Sequence, residues 1–338
     1  MSKILVTGGS GFIGSHTLID LIENGYDVIS IDNFSRSKSI ALDQVKEVTG
    51  VTIKNYDCDL CDYKSVKTVF EENRDITGII HFAAFKTVPE SVDHPLRYYR
   101  NNLYSLINLL DFTREFKIPN FIFSSSCSVY GNVTDLPVTE NTALQRTQSP
   151  YGNTKKIGEE MIEDFAKACT DSKFVALRYF NPIGAHPSGK IGETPFIPPQ
   201  NIMPIITQTA SGKREKMLVF GDDYDTRDGS CIRDYIHVSD IAHAHTLGLD
   251  YLSNNPDAKN YEVYNIGTGN GVTTLEVLKS FEKATGLKLN YEIAPRRSGD
   301  VIAVYANNDK IKNAFGWEPK YNLEDMMKTA WAWEQKNG

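Results

Sequence analysis

The sequence predicts a doubly wound α/β fold: a parallel sheet covered by helices on both faces, with a smaller, discontinuous C-terminal region beside it. Three observations carry that expectation. Short β-rich runs alternate with helical patterns through the first half of the chain, the runs are nearly continuously apolar, and a glycine cluster follows the first of them. Alternation implies crossover units and a parallel sheet. Apolar character on both sides implies burial on both faces.

In order, the runs are Ile4-Leu5-Val6-Thr7, Val28-Ile29-Ser30-Ile31, Val51-Thr52-Ile53, Gly78-Ile79-Ile80-His81, Phe121-Ile122-Phe123-Ser124 and Phe174-Val175-Ala176-Leu177. After Arg178 the pattern turns irregular. Gly184 to Asn201, rich in Gly and Pro, and Gly221 to Ser230, rich in Asp and Gly, read as loops. A further β-rich run, Val263-Tyr264-Asn265-Ile266, precedes a helical Leu275 to Ala284. The expected division is 1–180 for a nucleotide-binding sheet domain, joined by a returning strand and helix near 262–285, and 181–338 mainly for a substrate-binding region.

With 338 residues, 41% of them hydrophobic, the chain can bury a substantial core. A net charge of -7 without a block of Lys or Arg argues against nucleic acid or an anionic membrane as partner, while leaving room for a small anionic ligand. No apolar run approaches the ~18 residues of a membrane span. A strand starting at Lys3 leaves no space for a signal peptide, so a soluble, cytoplasmic protein is expected. Five cysteines, an odd number, argue against a disulfide framework. No metal site is expected: Cys58-x-x-Cys61 lacks a partner pair, no His-Glu-x-x-His occurs, and His81 reads as core.

The first strand leads into Thr7-Gly8-Gly9-Ser10-Gly11-Phe12-Ile13-Gly14 and then a helix through Ser15 to Asn24. Glycines there let the backbone turn sharply and approach a pyrophosphate at a helix start. The spacing Gly8, Gly11, Gly14 departs from G-x-G-x-x-G, but the strand before and helix after make it a dinucleotide site on a Rossmann sheet. Asp32, ending the second strand, suits the adenosine ribose hydroxyls and would repel the 2′-phosphate of NADP, so NAD is the expected cofactor. Arg36 is close enough to compete as a phosphate partner. Asp59 suits the adenine amino group or a solvated turn equally. Phe82, Ala83 and Ala84 after the fourth strand would admit the cofactor, with Lys86 near its diphosphate.

Ser149-Pro150-Tyr151-Gly152-Asn153-Thr154-Lys155 opens a helix with an N-cap serine and a first-turn proline, and places Tyr151 and Lys155 on one face. An ammonium within about 4–6 Å, a cationic cofactor and the helix start would all favour a Tyr151 phenolate. Ser126, in Ser124-Ser125-Ser126-Cys127-Ser128, follows the fifth strand and offers a hydroxyl to a substrate oxygen.

Together the glycine turn, the Ser-rich strand end and Tyr-x-x-x-Lys resemble the extended short-chain dehydrogenase/reductase family. Within it the chain is similar to the UDP-glucose 4-epimerase family over nearly its whole length, on His81-Phe82-Ala83, Leu177-Arg178-Tyr179-Phe180-Asn181-Pro182, Gly184-Ala185-His186-Pro187-Ser188-Gly189, Arg233-Asp234-Tyr235-Ile236-His237-Val238 and Ala294-Pro295-Arg296-Arg297. That resemblance implies NAD-dependent epimerisation of UDP-glucose and UDP-galactose at C4 through a 4-keto sugar, with no net redox change. Tyr151 would act as base, Ser126 would assist, and Lys155 would hold the cofactor ribose. It also implies cofactor contacts from Phe12, Ile13, Asn33, Leu60, Asn101, Ser124 and Tyr179. Nucleotide-sugar contacts would come from Lys86, Phe180, Asn181, Asn201, Ile202, Phe220, Arg233, Tyr235, Arg297 and Asp300. Valine at 304, where relatives restricted to unacetylated sugars carry tyrosine, implies that UDP-N-acetylglucosamine is also accepted. A homodimer is implied through helices around Leu96 to Phe116 and Tyr151 to Ala168.

Two other functions fit parts of this pattern. A 4,6-dehydratase starts with the same C4 oxidation but, by the same family knowledge, uses an Asp-Glu pair after the catalytic hydroxyl residue, where this chain has Cys127 and Ser128. A non-catalytic NAD-binding protein would have no use for Ser126, Tyr151 and Lys155 together.

Overall fold

Apolar runs rich in β-branched residues place β1 (Lys3–Thr7), β2 (Asp27–Ile31), β3 (Lys54–Tyr56), β4 (Ile76–His81), β5 (Asn120–Ser126) and β6 (Lys173–Tyr179) in one parallel sheet of a computed structural model that describes residues 2–196, 198–297 and 301–337. The chain then leaves through β7 (Asn181–Ile183), β8 (Met217–Phe220) and β9 (Ile232–His237), and β10 (Tyr261–Ile266) returns to pair in parallel with β6. The sheet order is β10-β6-β5-β4-β1-β2-β3. Strand order reverses between β1 and β4, so a ligand crevice is expected at their carboxyl ends.

The sheet's two faces follow from period-two alternation. Ile4 and Val6 point into one core with Leu18, Ile122 and Ile241, under α1 (Phe12–Glu23), α2 (Ile40–Thr49) and, later in the chain, the helix Val238–Asn254. Leu5 points into the other, with Ile79, Phe70, Leu109, Phe121 and Ile162, under α3 (Tyr63–Glu72), α5 (Pro95–Glu115) and α6 (Pro150–Ala168). The short α4 (Val88–Asp93) leads into α5.

The second region is built around β9, which pairs with β7, with β11 (Gly271–Thr273) and with β13 (Ala303–Val304). A separate pair joins β8 to β12 (Tyr291–Ala294). Helices α7 (Ile202–Ala210), α9 (Thr274–Thr285) and α11 (Leu323–Asn337) close over them on a core that includes Met203, Tyr235, Phe281 and Met327.

Two expectations change. The third strand is Lys54–Tyr56 rather than Val51-Thr52-Ile53: Gly50 ends α2 with φ 76°, Val51 and Thr52 stay exposed, and pairing begins only where Lys54 meets Ile29. Nor does the helix near 275–284 return to the sheet. Its apolar face, Val277, Leu278 and Phe281, packs with Met326, Met327 and Ala330 of α11. The helices that return are α8 (Val238–Asn254), against α1, and α10 (Asp309–Phe315), against α8 and β10. Among the described residues no helix is long and apolar enough to cross a membrane.

Candidate active site

The turn after β1 is dictated by space. Gly8 has φ 74°, and a Cβ there would come within 2.9 Å of the Ala83 nitrogen. A Cβ on Gly14 would sit 2.2 Å from the Gly8 carbonyl oxygen, so α1 can approach the strand only as glycine. Gly11 caps α1 without a side chain, and the first turn through Phe12 and Ile13 carries no acid. That leaves a helix start suited to a diphosphate, in a cradle any side chain would fill.

Asp32 closes one side of this cradle. Its carboxylate accepts hydrogen bonds from the Ser10 N–H (2.9 Å), the Phe34 N–H (2.9 Å) and the Ser37 hydroxyl (2.8 Å). Asn33 is spent locally, accepting from the Ser35 N–H, and Asp59 accepts from the Cys61 N–H at an exposed turn. Leu60 is buried in the core, its carbonyl accepting from Asn108. On the other side, Phe82 and Ala83 donate their N–H groups to Thr7, whose hydroxyl meets His81 Nδ1 at 2.8 Å. Burial, with the Lys155 charge, pushes the His81 imidazole down to about 3, consistent with a core histidine. Cys58 and Cys61 are pushed up to about 11 by burial and nearby aspartates, so neither is a ready thiolate.

Ser149 caps α6 through the Gly152 N–H at 3.1 Å, which fixes the first turn and so Tyr151. Lys155, 3% exposed, donates to the Ser124 carbonyl at 2.6 Å and sits 4.8 Å over the Phe123 ring. Tyr151 shares a hydrogen bond with Ser126, whose oxygen also accepts from the Ser128 hydroxyl at 3.0 Å. The structure thus brings Ser124, Ser126, Tyr151 and Lys155 together at the carboxyl ends of the sheet. Burial dominates, pushing Tyr151 up to about 12 against the Ser126 hydrogen bond, and pushing Lys155 down to about 7 against the Glu159 charge. Lys155 is turned to a carbonyl, and Tyr151's acidity must come from a positive charge that binds beside it.

Residues that motif reading missed hold this arrangement. Asn102 accepts from the Phe85 N–H (2.9 Å) and donates to the Phe85 carbonyl and the Thr154 hydroxyl (both 3.0 Å), tying the loop after β4 to α6. Its neighbour Asn101 donates to Asn102. One turn after Lys155, Glu159 receives a bidentate pair from Arg178 at 2.9 and 2.6 Å, and Arg178 also donates to the Tyr130 hydroxyl at 3.0 Å, all of it buried. Tyr179 meets His245 Nε2 at 2.8 Å, and because Nδ1 meets the Ile241 carbonyl at 2.8 Å, the Tyr179 hydroxyl is the donor. A carboxylate four residues beyond a helical lysine, and an arginine inside an apolar strand, were the visible signals for the buried pair. Asn102 had none.

Substrate-side residues fall into separate groups. Phe180 and Val304 share a buried cluster with Cys127, the residue after Ser126, and Val304 stands opposite Arg233 in the β13–β9 register. Asn181 pairs with Tyr235 between β7 and β9. Tyr235 itself lies in the second core, so its side chain is a packing group rather than a cleft group. Asn201, preceding Ile202 at the start of α7, donates to Glu193 at 2.7 Å, and Lys86 lies 3.8 Å from the same carboxylate. Arg297 stacks 5.3 Å over Phe220. Asp300 lies outside the described residues.

The chain matches the family described as GDP-mannose 4,6 dehydratase over residues 5–330. It is 45% identical over 334 residues to the UDP-glucose 4-epimerase of Bacillus subtilis, covering 99% of this chain and 97% of that one. The crystal structure of the Bifidobacterium longum UDP-glucose 4-epimerase in complex with NAD⁺ and UDP is similar at TM-score 0.95 and 44% identity, covering 99% of each chain. The chain belongs to the UDP-glucose 4-epimerase family. A further member of similar structure is the UDP-Glc/GlcNAc 4-epimerase of Campylobacter jejuni, at TM-score 0.84 and 38% identity, with 99% and 100% covered.

Proposed function

We propose that this chain epimerises C4 of a UDP-hexose, interconverting UDP-glucose and UDP-galactose through a transient 4-keto sugar, with NAD as a retained cofactor. The observation that carries the reading is the meeting of Ser126, Tyr151 and Lys155 beside the glycine cradle and Asp32, with no acid at Cys127 or Ser128. Dehydration across C5 and C6 would need such an acid. Burial pushes the Cys127 thiol up to about 12, which leaves it unfit as a general acid near neutral pH.

NAD⁺, when bound, supplies a hydride acceptor that gives the hydride back, and a positive charge beside Tyr151. Gly8, Gly11 and Gly14 make room for its diphosphate, and Asp32 takes the adenosine ribose. Tyr151 removes the proton from the sugar 4-hydroxyl and later returns it. Ser126, bonded to Tyr151, orients the sugar oxygen while the proton moves. Lys155, fixed on the Ser124 carbonyl, presents its amine to the cofactor ribose. Arg233 and Arg297 answer the charge of the nucleotide diphosphate. In this reading the sheet with β10, α8 and α10 is the cofactor lobe, and 181–338 otherwise forms the sugar lobe.

Val304, buried beside Phe180 and Cys127, is smaller than the tyrosine of relatives restricted to unacetylated sugars, and that difference in bulk is the room an N-acetyl group would take. Substituting Val304→Tyr is expected to abolish turnover of UDP-N-acetylglucosamine and to spare UDP-glucose. Failure of the unsubstituted chain to turn over the acetylated sugar overturns that part. For the reaction itself, the purified chain is denatured, the released nucleotide identified, and the native chain given UDP-galactose. The expected result is NAD and UDP-glucose without accumulating NADH; a 4-keto-6-deoxy product instead makes the chain a dehydratase.

The chain pairs with a second copy through α5 and α6. On α5 the apolar Leu96, Tyr104 and Ile107 are exposed, a run that a partner helix would cover. A cytoplasmic setting suits free cysteines and a small-molecule substrate.

A further inference from the structure

The loop after β2 presents Arg36 four residues beyond Asp32, at the place where an arginine ordinarily receives the 2′-phosphate of NADP. Its guanidinium is engaged elsewhere. Arg36 pairs with Glu90 of α4 and lies 4.9 Å over the Phe85 ring. On the ring's other contact Arg97 sits at 4.8 Å, and Arg97 also reaches Glu90 at 3.0 Å. Tyr98 donates its hydroxyl to Glu90 at 2.9 Å and accepts from the Thr87 N–H at 3.1 Å. Burial alone would raise the Glu90 carboxyl; the Arg36 and Tyr98 hydrogen bonds and the two arginine charges outweigh it and hold it below its usual range. Three residues, from the loop after β2 and from α5, therefore fix Glu90 as an anion facing Arg36, which is itself only about a quarter exposed.

We propose that Glu90 is a determinant of cofactor choice: it sequesters Arg36 and so denies the 2′-phosphate of NADP the cation that the ribose loop would otherwise offer. This rests on the reading of the glycine turn and Asp32 as the dinucleotide site. Two layers of discrimination result. Asp32 repels the phosphate directly, and Glu90 occupies Arg36, the cation of the ribose loop that lies nearer Asp32 in sequence than Lys38. The same pair links the loop after β2 to the segment after β4, which Asn102 ties to α6.

The test uses Glu90→Gln, Arg36→Ser and the double variant. Each purified protein is brought to exchange equilibrium with equal concentrations of NAD and NADP, and the retained nucleotide is released and quantified. Glu90→Gln is expected to raise the NADP share about tenfold by freeing a charge-assisted phosphate partner, and the double variant to return it to the unsubstituted level. No rise, or a rise that survives loss of Arg36, overturns the proposal. Because Glu90→Gln also alters the Arg97 and Tyr98 contacts, Arg36→Ser is a second test that leaves those in place. Its NADP share stays unchanged if Arg36 is already sequestered, and a fall means that Arg36 was serving the phosphate. A chain that retains neither nucleotide refutes the dinucleotide site itself, a separate outcome from failure of the Glu90 assignment.

Discussion

The Tyr151 hydroxyl is pulled in two directions: burial pushes it up to about 12 and so makes it a weaker acid, and a hydrogen bond from Ser126 works against that. A base used near neutral pH must gain its driving force from what binds, so Tyr151 ionises most readily when the cationic form of the cofactor is beside it. Tyr151→Phe is expected to lower turnover roughly 10²- to 10⁴-fold while leaving nucleotide bound; retention of full turnover removes Tyr151 from the mechanism. Lys155 carries a second consequence. Burial depresses it from 10.5 to about 7, so between those values the unfolded chain binds the extra proton and stability rises with pH. Below 7 both states are protonated and the full penalty applies. Lys155→Met is therefore expected to be more stable than the unsubstituted chain near neutrality, the gap closing as pH climbs from 7 toward 10, as thermal unfolding of nucleotide-free protein would show.

At the scale of elements, α6 does more than present Tyr151 and Lys155. Its Glu159 locks the helix to β6 through Arg178, with Ser125 of β5 on the same carboxylate. Removing one partner of a buried pair strands the other charge, so Glu159→Gln should cost roughly 3–5 kcal/mol in urea unfolding. A loss within measurement error would show that water or Tyr130 takes over. How readable these elements are depends on which physics made them. Strands β1, β2, β4, β5 and β6 were legible because burial on both faces leaves a run of apolar residues, and the glycine turn because close backbone approach excludes every side chain. The edge strand β3 was misplaced since its Lys54 and Asn55 carry no apolar run. α9 was assigned to the wrong core because amphipathicity reveals that a face is buried but not against what. Arg36 was visible as a cation near the ribose, whereas Glu90 is 54 residues away in sequence and joins it only in the folded chain.

For the whole molecule, the two regions are threaded through each other: β10 belongs to the sheet and α8 and α10 pack on it, although 181–237 and 267–308 intervene. The exposed apolar residues of α5 set the expectation for assembly. The 37.9 kDa chain should run at about twice that mass in light scattering, and paired Tyr104→Glu and Ile107→Glu substitutions should return it to a monomer. An unsubstituted chain that is monomeric leaves those residues as simple surface.

The returning strand also bears on synthesis. β6 ends at Tyr179, and its outer edge is covered by β10, which starts only at Tyr261. At ~5–20 residues per second a ribosome needs roughly 4–16 seconds to make that span. During that interval the emerging polypeptide carries a complete glycine turn and an open row of main-chain donors and acceptors along Phe174 to Tyr179. Such a row can template pairing with a neighbouring nascent chain. The last strand of the sheet is thus a deadline: the faster 261–266 is made, the less time polysomes have to join the wrong edges.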